Sequence, residues 1–393
     1  MAAMVLVGVQ SYAQSQLLGQ TLNPNVITTA VPFVSISPDA RGGSMGDCGV
    51  ASDPDVYSMH YNPAKYTFME PDMSIGLGYS PWLRNLVPDM NLAYLAFAKK
   101  LNSESALAAT LRYFSCGEIT FRDNNGTDIG TYKPNEWALD ATYSRMLTDY
   151  LSGAVAGRFI YSNLTQGVTD ASSVGWSVAA DIAVYYKRPV EWFSDKEADF
   201  AWGVSINNIG SKVSYDNNSV EKDFIPTTLR FGPSLKVKLD EYNSLAFMTD
   251  VTKLLVPTPP VYGSDGEVAY GKDDDVSVMV GVFQSFWDAP GYSFDDQGNP
   301  VGRGRLYEEL CEYNVGLGVE YWYNNIFAVR AGYFNEAALK GNRKYVTLGA
   351  ALKYNVFGLD VSYLVPVNGT IGTNPLENTL RFNLTYDIVS KKE

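Results

Sequence analysis

The sequence predicts an all-β transmembrane protein, an antiparallel β-barrel of about 14 strands with an N-terminal plug and long extracellular loops. From residue 72 onward, apolar and polar side chains alternate in long segments, as in the run Val346–Tyr354. These segments exceed the 5 to 6 residues of an ordinary sandwich strand. Tyrosine and tryptophan lie near the segment ends, which is typical of a membrane interface. Together these observations favour a barrel whose apolar face meets lipid.

The composition excludes several other classes. Of the 393 residues, 46% are hydrophobic, which is too many for a disordered chain. The net charge is −13 and no basic stripe is present, so we expect no nucleic-acid partner. No stretch approaches the roughly 18 consecutive apolar residues of a membrane helix. A chain that crosses a membrane must therefore do so with strands.

The N-terminal region predicts a signal peptide followed by a plug. Residues 1–13 join a short apolar run to the small residues Ser11 and Ala13, so we expect cleavage after Ala13, although the usual basic residues before the run are missing. Within residues 14–71, the stretch 37–51 contains four glycines and is followed by an Asn-Pro turn at 62–63, which indicates a compact irregular segment. The predicted plug residues are Asp39, Arg41, His60, Asn62, Pro63 and Ala64.

The barrel is predicted over residues 72–389, with a short tail at 390–393. Its strands are expected at 73–80, 90–98, 106–114, 136–147, 152–163, 174–187, 199–210, 228–238, 244–252, 312–323, 326–334, 344–355, 357–364 and 378–389. The apolar residues of 276–287 fall at helical spacing, so this segment is interpreted as a helix within one long extracellular loop, 253–311. Short and long links alternate, as in outer-membrane barrels, with 188–198 of intermediate length.

The polar faces of the strands carry charges that cannot face lipid without a cost of about 2 to 4 kcal/mol for each arginine or lysine. We expect them to line the lumen and to pair there, as a bracing network rather than a solute pathway. The residues are Arg112, Arg158, Arg230, Arg330, Lys353, Arg381, Asp140, Asp181, Asp250, Glu320, Asp360 and Asp387. The glycines of 76–78 and 316–318 are interpreted as points of close packing between wall and interior.

Catalytic, metal and cofactor chemistry finds little support in the sequence. His60 is the single histidine and precedes the first strand, so a Ser-His-Asp triad is not expected, and the chain is interpreted as a non-enzyme without cofactor or metal site. The acidic runs 273–275, 295–296 and 308–312 match no EF-hand loop and are expected to be solvated. Three cysteines allow a Cys116–Cys311 disulfide, although free thiols are favoured.

Two apolar segments are candidates for binding a partner. The first lies at the tip of the first hairpin and the second on the predicted helix of the long loop. Their residues are Pro81, Trp82, Leu83, Leu86, Phe283, Phe286 and Trp287. For Trp82, a place in the aromatic girdle is an equally good interpretation.

Several motifs along the chain carry a family resemblance. They are Pro38-Asp39-Ala40-Arg41-Gly42, Tyr61-Asn62-Pro63-Ala64, Tyr79-Ser80-Pro81-Trp82-Leu83, Asp250-Val251-Thr252-Lys253-Leu254-Leu255, Ser285-Phe286-Trp287-Asp288-Ala289-Pro290-Gly291, Glu320-Tyr321-Trp322-Tyr323-Asn324 and Arg330-Ala331-Gly332-Tyr333-Phe334. With them the sequence resembles the FadL superfamily of plugged outer-membrane barrels. Within that superfamily it is most similar to the PorV (LptO) family of the type IX secretion system.

The resemblance implies a 14-stranded plugged barrel in the outer membrane of a Gram-negative bacterium. It also implies binding to the C-terminal signal domain of cargo proteins, which would be collected from the translocon barrel and delivered to the surface attachment complex for linkage to lipopolysaccharide. The implied partners are these proteins and outer-membrane lipid. The alternative is a FadL-type transporter of hydrophobic small molecules. A C-terminus without a terminal aromatic residue departs from the usual barrel pattern.

Overall fold

The computed structural model describes residues 24–83, 89–122, 126–164, 173–192, 196–216, 222–295, 298–367 and 379–389. The predicted signal peptide 1–13, the tail 390–393 and Leu86 lie outside these ranges. Helices in the described residues are short, α1 at Ala40–Gly43, α2 at Val278–Gln284 and α3 at Arg305–Cys311. None is long and apolar enough to cross a membrane.

The strands, in chain order, are β1 Met73–Pro81, β2 Asn91–Lys100, β3 Ser105–Ser115, β4 Ile119–Arg122, β5 Asp128–Tyr132, β6 Asn135–Thr148, β7 Leu151–Asn163, β8 Gly175–Trp192, β9 Lys196–Gly210, β10 Thr228–Lys238, β11 Asn243–Leu254, β12 Val261–Tyr262, β13 Val268–Tyr270, β14 Tyr292–Phe294, β15 Pro300–Gly302, β16 Tyr313–Tyr323, β17 Phe327–Asn335, β18 Lys344–Tyr354, β19 Phe357–Pro366 and β20 Leu380–Ile388. Three pairs, β4–β5, β12–β13 and β14–β15, form separate hairpins. The other fourteen strands form a closed barrel in which every neighbour is antiparallel and β1 pairs with β20.

The predicted fold class is confirmed, since each of the fourteen predicted strands coincides with a strand of the barrel. One boundary needs correction, because β8 runs to Trp192 and the intermediate link 188–198 is mostly strand. The regular alternation of apolar and polar side chains stops near Lys187, yet the backbone ladder with β9 continues to the pair Trp192 and Lys196. Side-chain pattern thus marks the lipid-facing part of a strand rather than its end.

The two faces of the wall differ as expected. Along β7, the side chains of Ala154 and Ala156 are buried in the lumen, whereas Val155 between them is 61% exposed on the outside. The same alternation recurs in the other barrel strands, with leucine, valine, isoleucine and aromatic residues outside. An apolar surface of this extent is stable only in lipid.

Aromatic side chains form a row at each end of the wall. At one end Tyr113 is opposite Trp137, which is opposite Tyr161, which is opposite Trp176. At the other end the rings of Tyr186 and Trp202 stack with centroids 5.9 Å apart. On β8, Trp176 and Tyr186 are separated by ten residues, about 33 Å along a strand, or about 25 Å across the membrane at a typical tilt. The spacing matches the apolar band of an outer-membrane barrel.

All seven long links leave the barrel at one end and the short turns leave it at the other. The end with long links is extracellular by analogy with other barrels of this kind. The link between β11 and β16 is the longest and contains β12 to β15, α2 and α3. The sequence predicted only a helix at 276–287, and the helix is shorter, while α3 and the small hairpins were missed.

Candidate functional site: the occupied lumen and the extracellular rim

Residues 30–69 lie inside the barrel. Hydrogen bonds join this N-terminal segment to strands around the circumference, through Leu77, Arg112, Ser144, Ser152, Val184, Ser205, Ser234, Thr347 and Asn383. Only the lumen faces all of these strands at once. The chain enters from the extracellular end, where the backbone N–H of Asn25 donates to Leu339, and reaches β1 at the opposite end.

Glycines in the wall let this segment approach closely. A Cβ atom on Gly332 would lie 2.1 Å from the backbone nitrogen of Gly46, and one on Gly203 would lie 2.2 Å from the carbonyl oxygen of Val50. Real Cβ contacts are never this short, so neither position admits a side chain. Gly76 and Gly316 are similarly tight against the segment, which confirms their interpretation as points of close packing.

The six predicted plug residues all lie in this segment and make polar contacts. Asp39 caps α1 by accepting from Gly42 N–H at 2.8 Å and also accepts from the hydroxyl of Tyr61. Asn62 caps the turn that follows it and donates to Val184 of β8 at 2.9 Å. The carbonyls of Pro63 and Ala64 accept from serines of the wall.

Arg41 is a charged link between this segment and the wall. Its guanidinium binds Asp55 at 2.9 Å within the segment and Glu320 of β16 at 2.8 Å. Glu320 is shared with Arg330, which also binds Asp360 at 2.5 Å. A series of salt bridges therefore runs from the N-terminal segment into the barrel wall, in the order Asp55, Arg41, Glu320, Arg330 and Asp360.

Asp53 forms a second charged link, to β8 and β10. Its two oxygens bind Lys187 at 2.8 Å and Lys236 at 2.7 Å. Burial by itself would raise the pKa of this carboxyl, but the two ammonium groups hold it well below its ordinary value. Asp53 is therefore ionised at any physiological pH.

His60 is held as a structural group. Its Nδ1 accepts from the guanidinium of Arg112 at 3.1 Å, and Arg112 also donates to the carbonyls of Phe33 and Val34. Burial and the neighbouring arginines hold the pKa of His60 well below its ordinary value, so the ring is neutral. A neutral ring fixed by an arginine agrees with the interpretation of a hydrogen-bonded structural histidine.

Most of the wall charges pair with an opposite charge, as the sequence predicts, whereas Arg112 bonds to His60 and to backbone carbonyls of the N-terminal segment. Arg158 of β7 binds Asp140 at 2.5 Å and Asp181 at 3.1 Å, and none of the three side chains is more than 4% exposed. Arg230 binds Asp250, and Lys353 binds Asp387. The two links above and the ion pairs of Arg158 and Arg230 form what we call the lumen charge network: Arg41, Asp53, Asp55, Asp140, Arg158, Asp181, Lys187, Arg230, Lys236, Asp250, Glu320, Arg330 and Asp360.

The two predicted partner-binding groups differ in exposure. On α2 and the turn after it, Phe283 is 61% and Trp287 51% exposed, and Phe286 is 36% exposed. With the exposed Met279 and Val280 they form an apolar surface that we call the α2 patch. The helix itself rests on Phe224 and Pro257, which lie about 3 Å from the position of a Cβ on Gly281.

The described residues of the first-hairpin group, Pro81, Trp82 and Leu83, are less accessible. Trp82 is half-buried and packs against an interior cluster that includes Phe33 and Leu92, with its ring 6.0 Å from the guanidinium of Arg381. Pro81 ends β1, and Leu83 has a left-handed backbone with φ 45°. The α2 patch is therefore the better exposed of the two candidates.

The predictions for the acidic and cysteine residues have mixed outcomes. Glu308, Glu309 and Glu312 were expected to be solvated, but they are buried at 5% to 8% exposure against Lys253 and Lys340. The run 273–275 stays on the surface. All three cysteines are free, so the disulfide between Cys116 and Cys311 does not form.

One groove of about 660 Å³ lies on the outer face of the wall. Its lining includes the outward side chains of Phe200, Leu235, Phe247, Leu317 and Tyr333 on β9, β10, β11, β16 and β17. Ser234, Met248, Gly318 and Gly332 of the same strands, which lie against the N-terminal segment, also line this groove.

The barrel, its apolar exterior and its aromatic rows define an outer-membrane β-barrel. A family model described as "Type IX secretion system protein PorV" matches residues 19–261, more than half of the chain. The chain belongs to this family and is an outer-membrane component of the type IX secretion system in a Gram-negative bacterium. No curated protein matches the chain.

Three solved structures match the chain at low sequence identity. The toluene transporter TodX of Pseudomonas putida is 12% identical, with a TM-score of 0.48, and the match covers 91% of this chain and 99% of TodX. The toluene transporter TbuX of Ralstonia pickettii is 12% identical, with a TM-score of 0.45 and coverage of 91% and 98%. LpxR from Salmonella typhimurium is 8% identical, with a TM-score of 0.33 and coverage of 80% and 100%.

Proposed function

We propose that the chain binds the C-terminal signal domains of secreted cargo, collects the cargo from the translocon barrel and delivers it to the surface attachment complex. Membership of the PorV family is the observation that carries this proposal. Family members are secretion components, and we infer that the chain acts by binding and not by catalysis.

The proposal places the binding surface at the extracellular rim. The N-terminal segment is packed against the wall, and Arg41 and Asp53 each form salt bridges with charged side chains of the barrel strands. We therefore infer that this segment closes the lumen as a plug. Cargo would then meet the protein from outside the barrel. The α2 patch suits this role, because exposed aromatic residues bury much area on binding and are common energetic anchors of interfaces.

The test replaces the anchors of the α2 patch. The variant Phe283→Ser with Trp287→Ser is expected to fold but to lose at least tenfold in affinity for a purified cargo C-terminal domain or for the translocon barrel, measured by co-purification and by titration in detergent. The matched control is Leu306→Ser with Leu310→Ser on α3, where the side chains are 75% and 62% exposed. Loss of binding in the control alone would move the surface to α3.

A strain lacking the protein tests the function as a whole. Cargo with a C-terminal signal is expected to remain in the periplasm. Normal surface display of cargo, together with a defect in uptake of a hydrophobic nutrient, would overturn the proposal in favour of small-molecule transport.

A further inference from the structure

A second cluster of buried charges lies at the extracellular rim. Lys253 is near the end of β11, Asp288 follows α2, and Glu308, Glu309 and Glu312 lie on or just after α3. Lys340 reaches this cluster from the link between β17 and β18. We call these six residues the rim cluster. Each of the six is buried, with Asp288 and Lys253 fully so.

The charges of the rim cluster do not balance. Lys253 binds Glu312 and lies 3.6 Å from Glu309, while Lys340 binds Glu308 at 2.7 Å and Glu312 at 3.0 Å. Four carboxylates thus share two ammonium groups. Two negative charges remain uncompensated in a buried place, which is costly unless a further cation binds or protons are taken up.

Two oxygen atoms of the cluster also lack a hydrogen-bond donor among the described residues. They are Oδ1 of Asp288 and Oε2 of Glu309, and both are buried. The other oxygen of Asp288 accepts only a 3.2 Å bond from the backbone N–H of Thr258. No lysine or arginine of the described chain forms an ion pair with Asp288, although this side chain has no exposure to solvent.

The geometry of these oxygens suits a metal ion. One carboxylate oxygen from each of Asp288, Glu309 and Glu312 can be chosen so that all three lie within 4.8 Å of one another. Ca²⁺ binds oxygen at about 2.3 to 2.6 Å, so two of its ligands lie at most about 5 Å apart. The oxygens are therefore already close enough to share one ion.

We propose that Asp288, Glu309 and Glu312 form a binding site for a divalent cation, with Ca²⁺ as the preferred ion. Three anionic oxygens and no histidine or thiolate ligand favour a hard cation. Ca²⁺ is preferred to Mg²⁺ because Mg²⁺ keeps most of its water and seldom enters a site made of several carboxylates. The bound ion balances the two surplus charges and fixes the turn after α2 to α3 and to the start of β16.

The cluster also has a place for protons. Burial, with help from Glu312 and Glu309 and against the effect of Lys253, raises the pKa of Asp288 to about 6. The raised pKa has the same physical origin as the surplus charge, a buried carboxyl without a cationic partner among the described residues.

The test uses the purified full-length protein in detergent, stripped with EDTA, and requires no secretion partner, so it stands apart from the proposed function. Tb³⁺ serves as a luminescent analogue of Ca²⁺, because Trp287 and Tyr313 adjoin the ligands and can sensitise it. We expect saturable binding of one ion per chain that Ca²⁺ displaces. Asp288→Asn and Glu309→Gln are each expected to weaken it at least tenfold.

The exposed run at 273–275 provides the control. Asp273→Asn with Asp275→Asn removes two carboxylates from the same link, one of them 96% exposed at the side chain, and is expected to leave binding unchanged. Heat-modifiability on SDS gels checks that every variant keeps its barrel. Binding that survives Asp288→Asn and Glu309→Gln but disappears in the control would overturn the proposal. So would the absence of saturable Tb³⁺ and Ca²⁺ binding to the wild-type protein at millimolar ion.

Discussion

The lumen charge network and the rim cluster are both buried, yet they differ in the number of cationic partners available to each carboxylate. In the lumen, each carboxylate of the network has a cation within 3.4 Å, and Glu320 and Asp53 each have two. At the rim, four carboxylates share two lysines, and Asp288 has no cationic partner in the described chain.

This difference separates a structural role from a binding role. A paired network joins the N-terminal segment to the wall and leaves little capacity for a further ion. An unbalanced cluster keeps such capacity, because it gains free energy from any ion or proton that it takes up. Buried charge alone therefore says little about function, and the balance of charge is the informative quantity.

The largest effect is expected from breaking the lumen network at Arg158. The variant Arg158→Met leaves Asp140 and Asp181 buried without their cation, at 1% and 0% exposure, and should lower the free energy of unfolding by about 3 to 5 kcal/mol. Unfolding in urea from lipid vesicles measures it. The control Arg122→Met removes an exposed pair with Asp128 and should cost less than about 1 kcal/mol. Equal costs for the two variants would show that the lumen network does not brace the barrel.

A smaller effect is expected where the wall meets the N-terminal segment. A methyl group on Gly332 would collide with the backbone of Gly46, which cannot rotate away, so Gly332→Ala should cost about 1 to 3 kcal/mol. Gly157 has no atom within 4 Å of its Cβ position, and Gly157→Ala should be neutral within about 0.5 kcal/mol. The same unfolding measurement applies. If Gly332→Ala is also neutral, the segment is not packed as described.

The wall was predictable because lipid imposes one rule on every strand. Outward side chains must be apolar, and inward charges must find partners, so alternation along the sequence predicted the strands and the inward position of charges such as Arg158 and Arg330, although it did not predict which residues pair. The glycines of 76–78 and 316–318 likewise reported close contact with the interior. These are local patterns, and no knowledge of distant contacts was needed to read them.

The long link between β11 and β16 was not predictable in the same way. The helix α3 exposes Leu306 and Leu310, so it lacks the buried apolar face that a periodicity argument requires. The acidic run at 308–312 was predicted to be a solvated loop. Its burial depends on salt bridges to Lys253 and Lys340, which lie far from it in sequence, on either side. Its contacts are set by tertiary packing, which pattern alone does not encode.

The smallest effect is expected at Asp288 and distinguishes the two clusters most sharply. Removing a charge from the lumen charge network should destabilise the protein, whereas removing the charge of Asp288 should stabilise it. The folded pKa of Asp288, about 6, is above the ordinary 3.8, so the folded protein holds this proton more tightly than the unfolded chain. In EDTA, the stability that this group contributes is complete below about pH 4 and is lost as the pH rises through about 6.

An amide at this position cannot ionise, so Asp288→Asn should melt at a slightly higher temperature than wild type at pH 7 in EDTA. Saturating Ca²⁺ should raise the melting temperature of the wild type but not that of the variant. Melting curves from pH 4 to 7, followed by tryptophan fluorescence, measure both effects. A variant less stable than wild type at pH 7 in EDTA would mean that Asp288 is already compensated, as the carboxylates of the lumen charge network are.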